Sequence, residues 1–100
     1  MNYKHIFEPK ALDEFASAVE WYKERSESSA VDFVKEINEK LKEVCSDPLR
    51  YRNTYKKFRE KSLSKYPFCI VYMVDDIEKI VVVSSIFHHK RNPRKKFRKS

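Results

Sequence analysis

One hundred residues with 41% hydrophobic and 14% aromatic side chains are enough for a single domain, residues 1–100, around one modest core, and too apolar for a disordered chain. No apolar run is long enough to cross a bilayer, and the opening MNYKHIFEPK lacks the apolar stretch of a signal peptide, so a cytoplasmic protein is expected. There is no glycine, which excludes the Gly-rich phosphate cradles of P-loop and dinucleotide-binding enzymes.

The net charge of +7 is unevenly placed. Lys/Arg and Asp/Glu cancel over residues 1–87, and the whole excess sits in 88–100, which has no acid. Inside the balanced part, Glu8–Asp47 is acidic, whereas 50–65 is basic, with Glu60 its single acid. Acidic helices against a basic sheet edge suggest a polyanionic or acidic partner on one side. Cys45 and Cys69 read as buried thiols acting as small hydrophobes. Neither they nor His5, His88 and His89 have the paired short spacing of a zinc site, so neither metal nor cofactor is expected.

In chain order, Tyr3, His5 and Phe7 alternate as a short first strand, with His5 packed or hydrogen-bonded rather than functional. Pro9 suits the first turn of a helix, and Asp13 and Glu14 favour its positive N-terminal end. Ala11, Phe15, Ala18, Val19 and Tyr22 make its apolar stripe. Trp21 lies beside that stripe, either as core or as an exposed anchor, and the core assignment is carried forward. The segment 25–29 breaks the helix, and Ser29 with Asp32 resembles a capping pair for a second one. There, Phe33, Val34, Ile37, Leu41 and Val44 face one way, an outward Glu36–Lys40 pair is expected at i,i+4, and Pro48 ends the helix. So short a link makes the two helices antiparallel neighbours.

Residues 55–60 read as a strand, with Lys57 and Arg59 on one face and Lys56, Phe58 and Glu60 on the other; 64–67 turns the chain. Two apolar strands follow. In 68–74, Phe68, Ile70, Tyr72 and Val74 alternate with Cys69, Val71 and Met73. In 79–87, Ile80, Val82, Ser84 and Ile86 alternate with Val81, Val83, Ser85 and Phe87. Apolar residues on both faces mark central strands, and Asp75-Asp76-Ile77-Glu78 supplies the turn through Asp side chains bonded to their own backbone. The Ser84-Ser85 pair reads as small strand residues, not a nucleophile. The expected fold is α+β, β-α-α-β-β-β, a helical hairpin on one face of a mostly antiparallel sheet with a basic tail from about residue 88. Arg94–Ser100 is a short extra helix or a solvated, disordered end, with Phe97 able to pin it to the sheet.

This order, together with Arg59, the Tyr66-Pro67-Phe68-x-Ile70-Val71-Tyr72 segment, Asp75-Asp76 and the ending from Ile86 to Pro93, resembles the RelE/ParE superfamily of type II toxin–antitoxin modules, most of all its ParE-like branch. The resemblance implies a toxin held inactive by an acidic antitoxin wrapped over its surface. ParE-like members are reported to poison DNA gyrase without being nucleases; RelE-like members cleave mRNA on the ribosome. RelE-like toxins resemble one another in placing a Tyr, or a His-Tyr pair, near the end of the last strand, with Arg and Lys on neighbouring strands. Here no Tyr follows Tyr72 and positions 88–89 read His-His, which points to the ParE-like, non-enzymatic branch. The residues expected to meet the target are Arg59, His88, Lys90, Arg91 and Arg94. Trp21, Tyr22 and the rim of the last strand are expected to meet the antitoxin. In the ribonuclease alternative, His88 or His89 serves as acid or base and Arg59, with Lys57 or Lys61, clamps the phosphate. Adjacent on a strand, the two histidines point to opposite faces. The third possibility is a non-toxic, basic nucleic-acid-binding module.

Overall fold

In the computed structural model, which describes residues 2–90, the two apolar segments form the middle of a five-stranded sheet. The elements are β1 (Lys4–Phe7), α1 (Pro9–Arg25), α2 (Glu27–Ser46), β2 (Asn53–Tyr55), β3 (Phe58–Ser62), β4 (Phe68–Asp75) and β5 (Ile80–His88). The strand order is β1-β5-β4-β3-β2. β1 runs parallel to β5 and the other neighbours are antiparallel, so the sheet is mixed. The α+β architecture expected from the sequence is the one found, with one more strand. The segment expected as a single strand over 55–60 is a hairpin, and its tip holds Lys56 and Lys57; Lys57 therefore lies in a turn, not on a strand face.

The turn between β4 and β5 forms as its chemistry demands. Asp75 Oδ1 accepts the N–H groups of Ile77 (3.2 Å) and Glu78 (3.0 Å). Lys79 closes it at φ 58°, a left-handed position that glycine usually fills and that this glycine-free chain gives to lysine. Tyr3 donates its hydroxyl to Asp76, whose carboxylate also holds the Lys79 ammonium at 3.3 Å, tying the approach to β1 onto this turn.

Phe68, Ile70 and Tyr72 of β4 face the helices and pack with Ala11, Ala18, Phe33, Ile37, Leu41 and Val44. On the far side, Cys69, Val71 and Phe87 are buried against Phe58. In β5 the expected strict alternation fails. The register passes from Val71↔Ser85 to Tyr72↔Val83, and Ser84 is left without an opposite residue. This bulge brings Val81, Val83 and Ile86 into one cluster, where strict alternation would have separated them. Cys45 and Cys69 are both buried and not joined in a disulfide, and they belong to different clusters on opposite sides of the sheet.

The helices correct four further expectations. The first turn of α1 carries no acid; Glu14 instead reaches β5 beyond the end of β1, where its Oε1 accepts the Ser85 hydroxyl (2.7 Å) and the Ile86 N–H (3.0 Å). This closes a stretch of strand edge that β1 is too short to cover. Ser26, not Ser29, caps α2: its hydroxyl accepts the Ser29 N–H at 3.3 Å. Glu36 does not pair outward with Lys40. It is 5% exposed, because it lies three residues from Phe33 on the buried stripe, and it accepts the N–H groups of Ser64 and Lys65. Lys40 lies 3.6 Å from Glu43. Trp21 is 51% exposed, because the packed stripe of α1 passes it by; Arg25, one turn on, lays its guanidinium 3.6 Å from the ring centroid and donates to the Trp21 carbonyl. His5 is exposed and sets its ring edge against Phe7 at 5.9 Å.

Candidate functional site at the end of the last strand

β5 ends where its partner strand begins. His88 is opposite Phe68 in the register, and its ring meets Phe68 edge to face at 4.9 Å. Its Nδ1 accepts the Lys90 N–H at 3.0 Å, which assigns the remaining ring proton to Nε2 when the imidazole is neutral. His89 is exposed and donates its backbone N–H to Pro67 O at 2.9 Å. Lys90 is exposed as well. Arg91 and Arg94 of the expected target surface, like Phe97 and the possible helix over Arg94–Ser100, lie outside the described residues.

Phe68 also joins this strand end to the helices. Its ring lies 5.2 Å from Phe33 and 6.4 Å from Tyr22. Tyr22 touches Tyr66 (5.0 Å) and Trp21 (5.0 Å), both edge-on. The two residues expected to meet an antitoxin and the His88 expected to meet a target are therefore parts of one aromatic cluster, running from an exposed indole on α1 to the mouth of the basic run. Such edge-to-face contacts fix ring positions as well as bury area.

Two carboxylates of α2 hold the turn beneath this cluster. Tyr66 donates its hydroxyl to Asp32 Oδ2 (2.9 Å) and to Ser29 O (3.2 Å), and Lys65 lies 3.4 Å from Asp32. Desolvation, with Asp32 beside it, pushes the Tyr66 hydroxyl up to about 12, while the same hydrogen bond holds the Asp32 carboxyl below its ordinary value. With Glu36 on Ser64 and Lys65, the 64–67 turn is tied to α2, and through Pro67 so is the backbone of His89. No sequence spacing announces these links, since each joins residues about thirty or more apart.

Arg59 lies elsewhere. It sits opposite Tyr72 on β3, half-buried, and Nη1 donates to Tyr51 O (2.7 Å) and Leu49 O (3.2 Å). Tyr72, fully buried, donates its hydroxyl to Pro48 O at 2.7 Å, and burial pushes that hydroxyl far up. Together they clamp the 48–51 segment. Tyr72 and Phe68 are four residues apart on β4, and β3 and β5 flank β4 on opposite sides, so the Arg59 and His88 backbones are about 16 Å apart. Lys61 is engaged with α2, 3.3 Å from Glu43, and Lys57 is exposed at the hairpin tip. The expected phosphate clamp is thus not assembled beside the histidines: its cations belong to the β2–β3 side of the sheet.

Compared with known proteins, residues 6–93 match the model of the ParE toxin of the type II toxin–antitoxin system parDE. The chain belongs to the ParE toxin family. No curated protein matches it. Among solved structures, the chromosomal ParDE system from P. aeruginosa superposes with a TM-score of 0.73 at 17% identity, covering 86% of this chain and 95% of that one. The intact E. coli RelBE toxin–antitoxin complex gives a TM-score of 0.62 at 24% identity, covering 89% and 99%. The isolated E. coli RelE toxin gives 0.62 at 23%, covering 93% and 90%. At these identities the likeness is one of fold. This ParE-family chain is a type II toxin of the RelE/ParE superfamily. Among its described residues no helix is long and apolar enough to cross a membrane.

Proposed function

We propose that this ParE-family toxin acts by protein contact on DNA gyrase in the cytoplasm, and that an acidic antitoxin neutralises it by covering the aromatic cluster. The observation that carries the reading is the end of β5. A strand buried in the sheet interior opens directly onto exposed His89 and Lys90, and the sequence continues with Arg91, Arg94 and further cations. The target meets His88, Lys90, Arg91 and Arg94. Arg59, which holds the 48–51 segment to β3, lies on the β2–β3 side, apart from that surface. The antitoxin lies on Trp21 and Tyr22 and along the rim of β5. Its acidity complements the charge, and the toxins of the P. aeruginosa ParDE system and of the E. coli RelBE complex are folded alike.

The separation of Arg59 from His88 favours this over RNA cleavage, which needs an acid, a base and cations converging on one phosphate. The test is a supercoiling and DNA-cleavage assay with purified gyrase and the purified chain. Loss of supercoiling is expected, not abolished by His88→Ala or His89→Ala and weakened by Lys90→Glu with Arg91→Glu. Full supercoiling activity, together with cleavage of mRNA on purified ribosomes that either histidine substitution abolishes, overturns it.

A further inference from the structure

The β2–β3 edge carries a second basic surface that the proposed gyrase contact does not use. Among the described residues β2 is the last strand of the sheet and has no neighbour beyond it. The chain reaches it through the 48–51 segment that Arg59 and Tyr72 clamp, so Arg50 and Arg52 lead into the edge and Lys56 and Lys57 close its hairpin. All four are exposed, and among the described residues none has a carboxylate within ion-pair distance. The other basic residues nearby are used internally: Arg59 on carbonyls, Lys61 on Glu43.

Aromatic rings stand among these cations. Tyr55 is 44% exposed, with the Lys56 ammonium 5.3 Å from its ring centroid. Tyr51 has Arg50 5.8 Å and Lys61 4.5 Å from its ring centroid. Unpaired cations alone fit any polyanion. Unpaired cations around an exposed ring fit a polyanion that also offers flat faces, which unpaired nucleic acid does and an acidic peptide or an intact duplex does not.

We propose that the β2–β3 edge is a binding surface for single-stranded nucleic acid, with Arg50, Arg52, Lys56 and Lys57 on the phosphates and Tyr55 stacked on a base. It is independent of the proposed gyrase contact at the end of β5.

Fluorescence anisotropy of a labelled oligothymidylate strand, titrated with the full chain over a range of salt, tests it. Replacing all four cations by Gln, with the basic C-terminal run untouched, lowers the slope of log K against log salt by about 2–3, four phosphate contacts to a single strand. Tyr55→Ala weakens binding about 5- to 150-fold, the loss of one stacked base, with the slope unchanged, and Tyr55→Phe restores it. These positions are exposed, so urea midpoints near the parent value confirm that the variants fold. Equal binding by the parent and the fourfold variant places all affinity elsewhere and overturns the proposal. So does a matched duplex that binds as tightly as the single strand, or polyglutamate that displaces the strand as well as unlabelled oligothymidylate does; the latter outcome assigns the surface to an acidic peptide.

Discussion

Glu36 is the residue whose replacement reads most directly on how this fold presents its strand end. Its buried carboxylate accepts two backbone N–H groups of the 64–67 turn, from Ser64 and from Lys65 at 3.1 Å. A hydrogen bond to a charged group is worth about 1.5–3 kcal/mol, but Ser64 and Lys65 are exposed and water takes over part of what Glu36→Ala removes. A loss of about 2–4 kcal/mol is therefore expected, roughly 10–25 °C in Tm for a domain of this size. Glu36→Gln keeps one acceptor and turns an amide N–H toward the other donor, so it recovers only part of the loss. Urea unfolding followed by circular dichroism measures both, with Glu39→Gln, at an exposed position of the same helix, as the control expected within about 0.5 kcal/mol of the parent. The local consequence extends to Pro67, whose carbonyl holds the His89 N–H, so amide exchange at His89 speeds up in Glu36→Ala. A midpoint for Glu36→Ala matching that of Glu39→Gln would refute the reasoning, because the turn would then stand without its anchor.

Other expectations concern the same scaffold. Tyr72→Phe leaves the buried Pro48 carbonyl without its donor and costs about 1–3 kcal/mol, read from the urea midpoint. The Asp32–Tyr66 pair predicts a pH window. The Asp32 carboxyl is depressed in the folded chain, so its contribution is present above the ordinary 3.8 and fades as pH falls through the lower folded value. The Tyr66 hydroxyl is raised, so its contribution is whole below the ordinary 10.0 and is lost as pH rises to about 12. The stability difference between the parent and Tyr66→Phe is thus a plateau between those limits that shrinks on both sides, measured as urea midpoints against pH. Trp21→Ala leaves stability within about 1 kcal/mol, because the indole is half exposed, but weakens antitoxin binding by at least about tenfold in calorimetry, as loss of an exposed aromatic anchor does.

The strands at the centre of the sheet could be read from the sequence because their apolar residues fall on both faces, and only interior strands have both faces covered. The Asp-rich turn was equally readable, since its chemistry is local. What escaped depends on tertiary partners. The Ser84 bulge breaks the period of two without leaving a trace in composition. Glu36 looks like a surface acid until the 64–67 turn, which needs its oxygens, is placed beside it. Trp21 looks like core until the width of the packed face is known. For the site, the basic character of the β2–β3 edge and of the strand end could be read as charge. The roughly 16 Å between Arg59 and His88 could not, because it depends on which strands flank β4 and in what register.

The order in which macromolecular synthesis stops after the toxin is induced in a bacterium tests its proposed target most directly. DNA and protein synthesis are pulse-labelled in parallel within minutes of induction, with and without His88→Ala and His89→Ala. A gyrase-directed toxin halts DNA synthesis first while translation continues, and neither histidine substitution abolishes that halt. Translation halting first, with either substitution abolishing the effect, contradicts it.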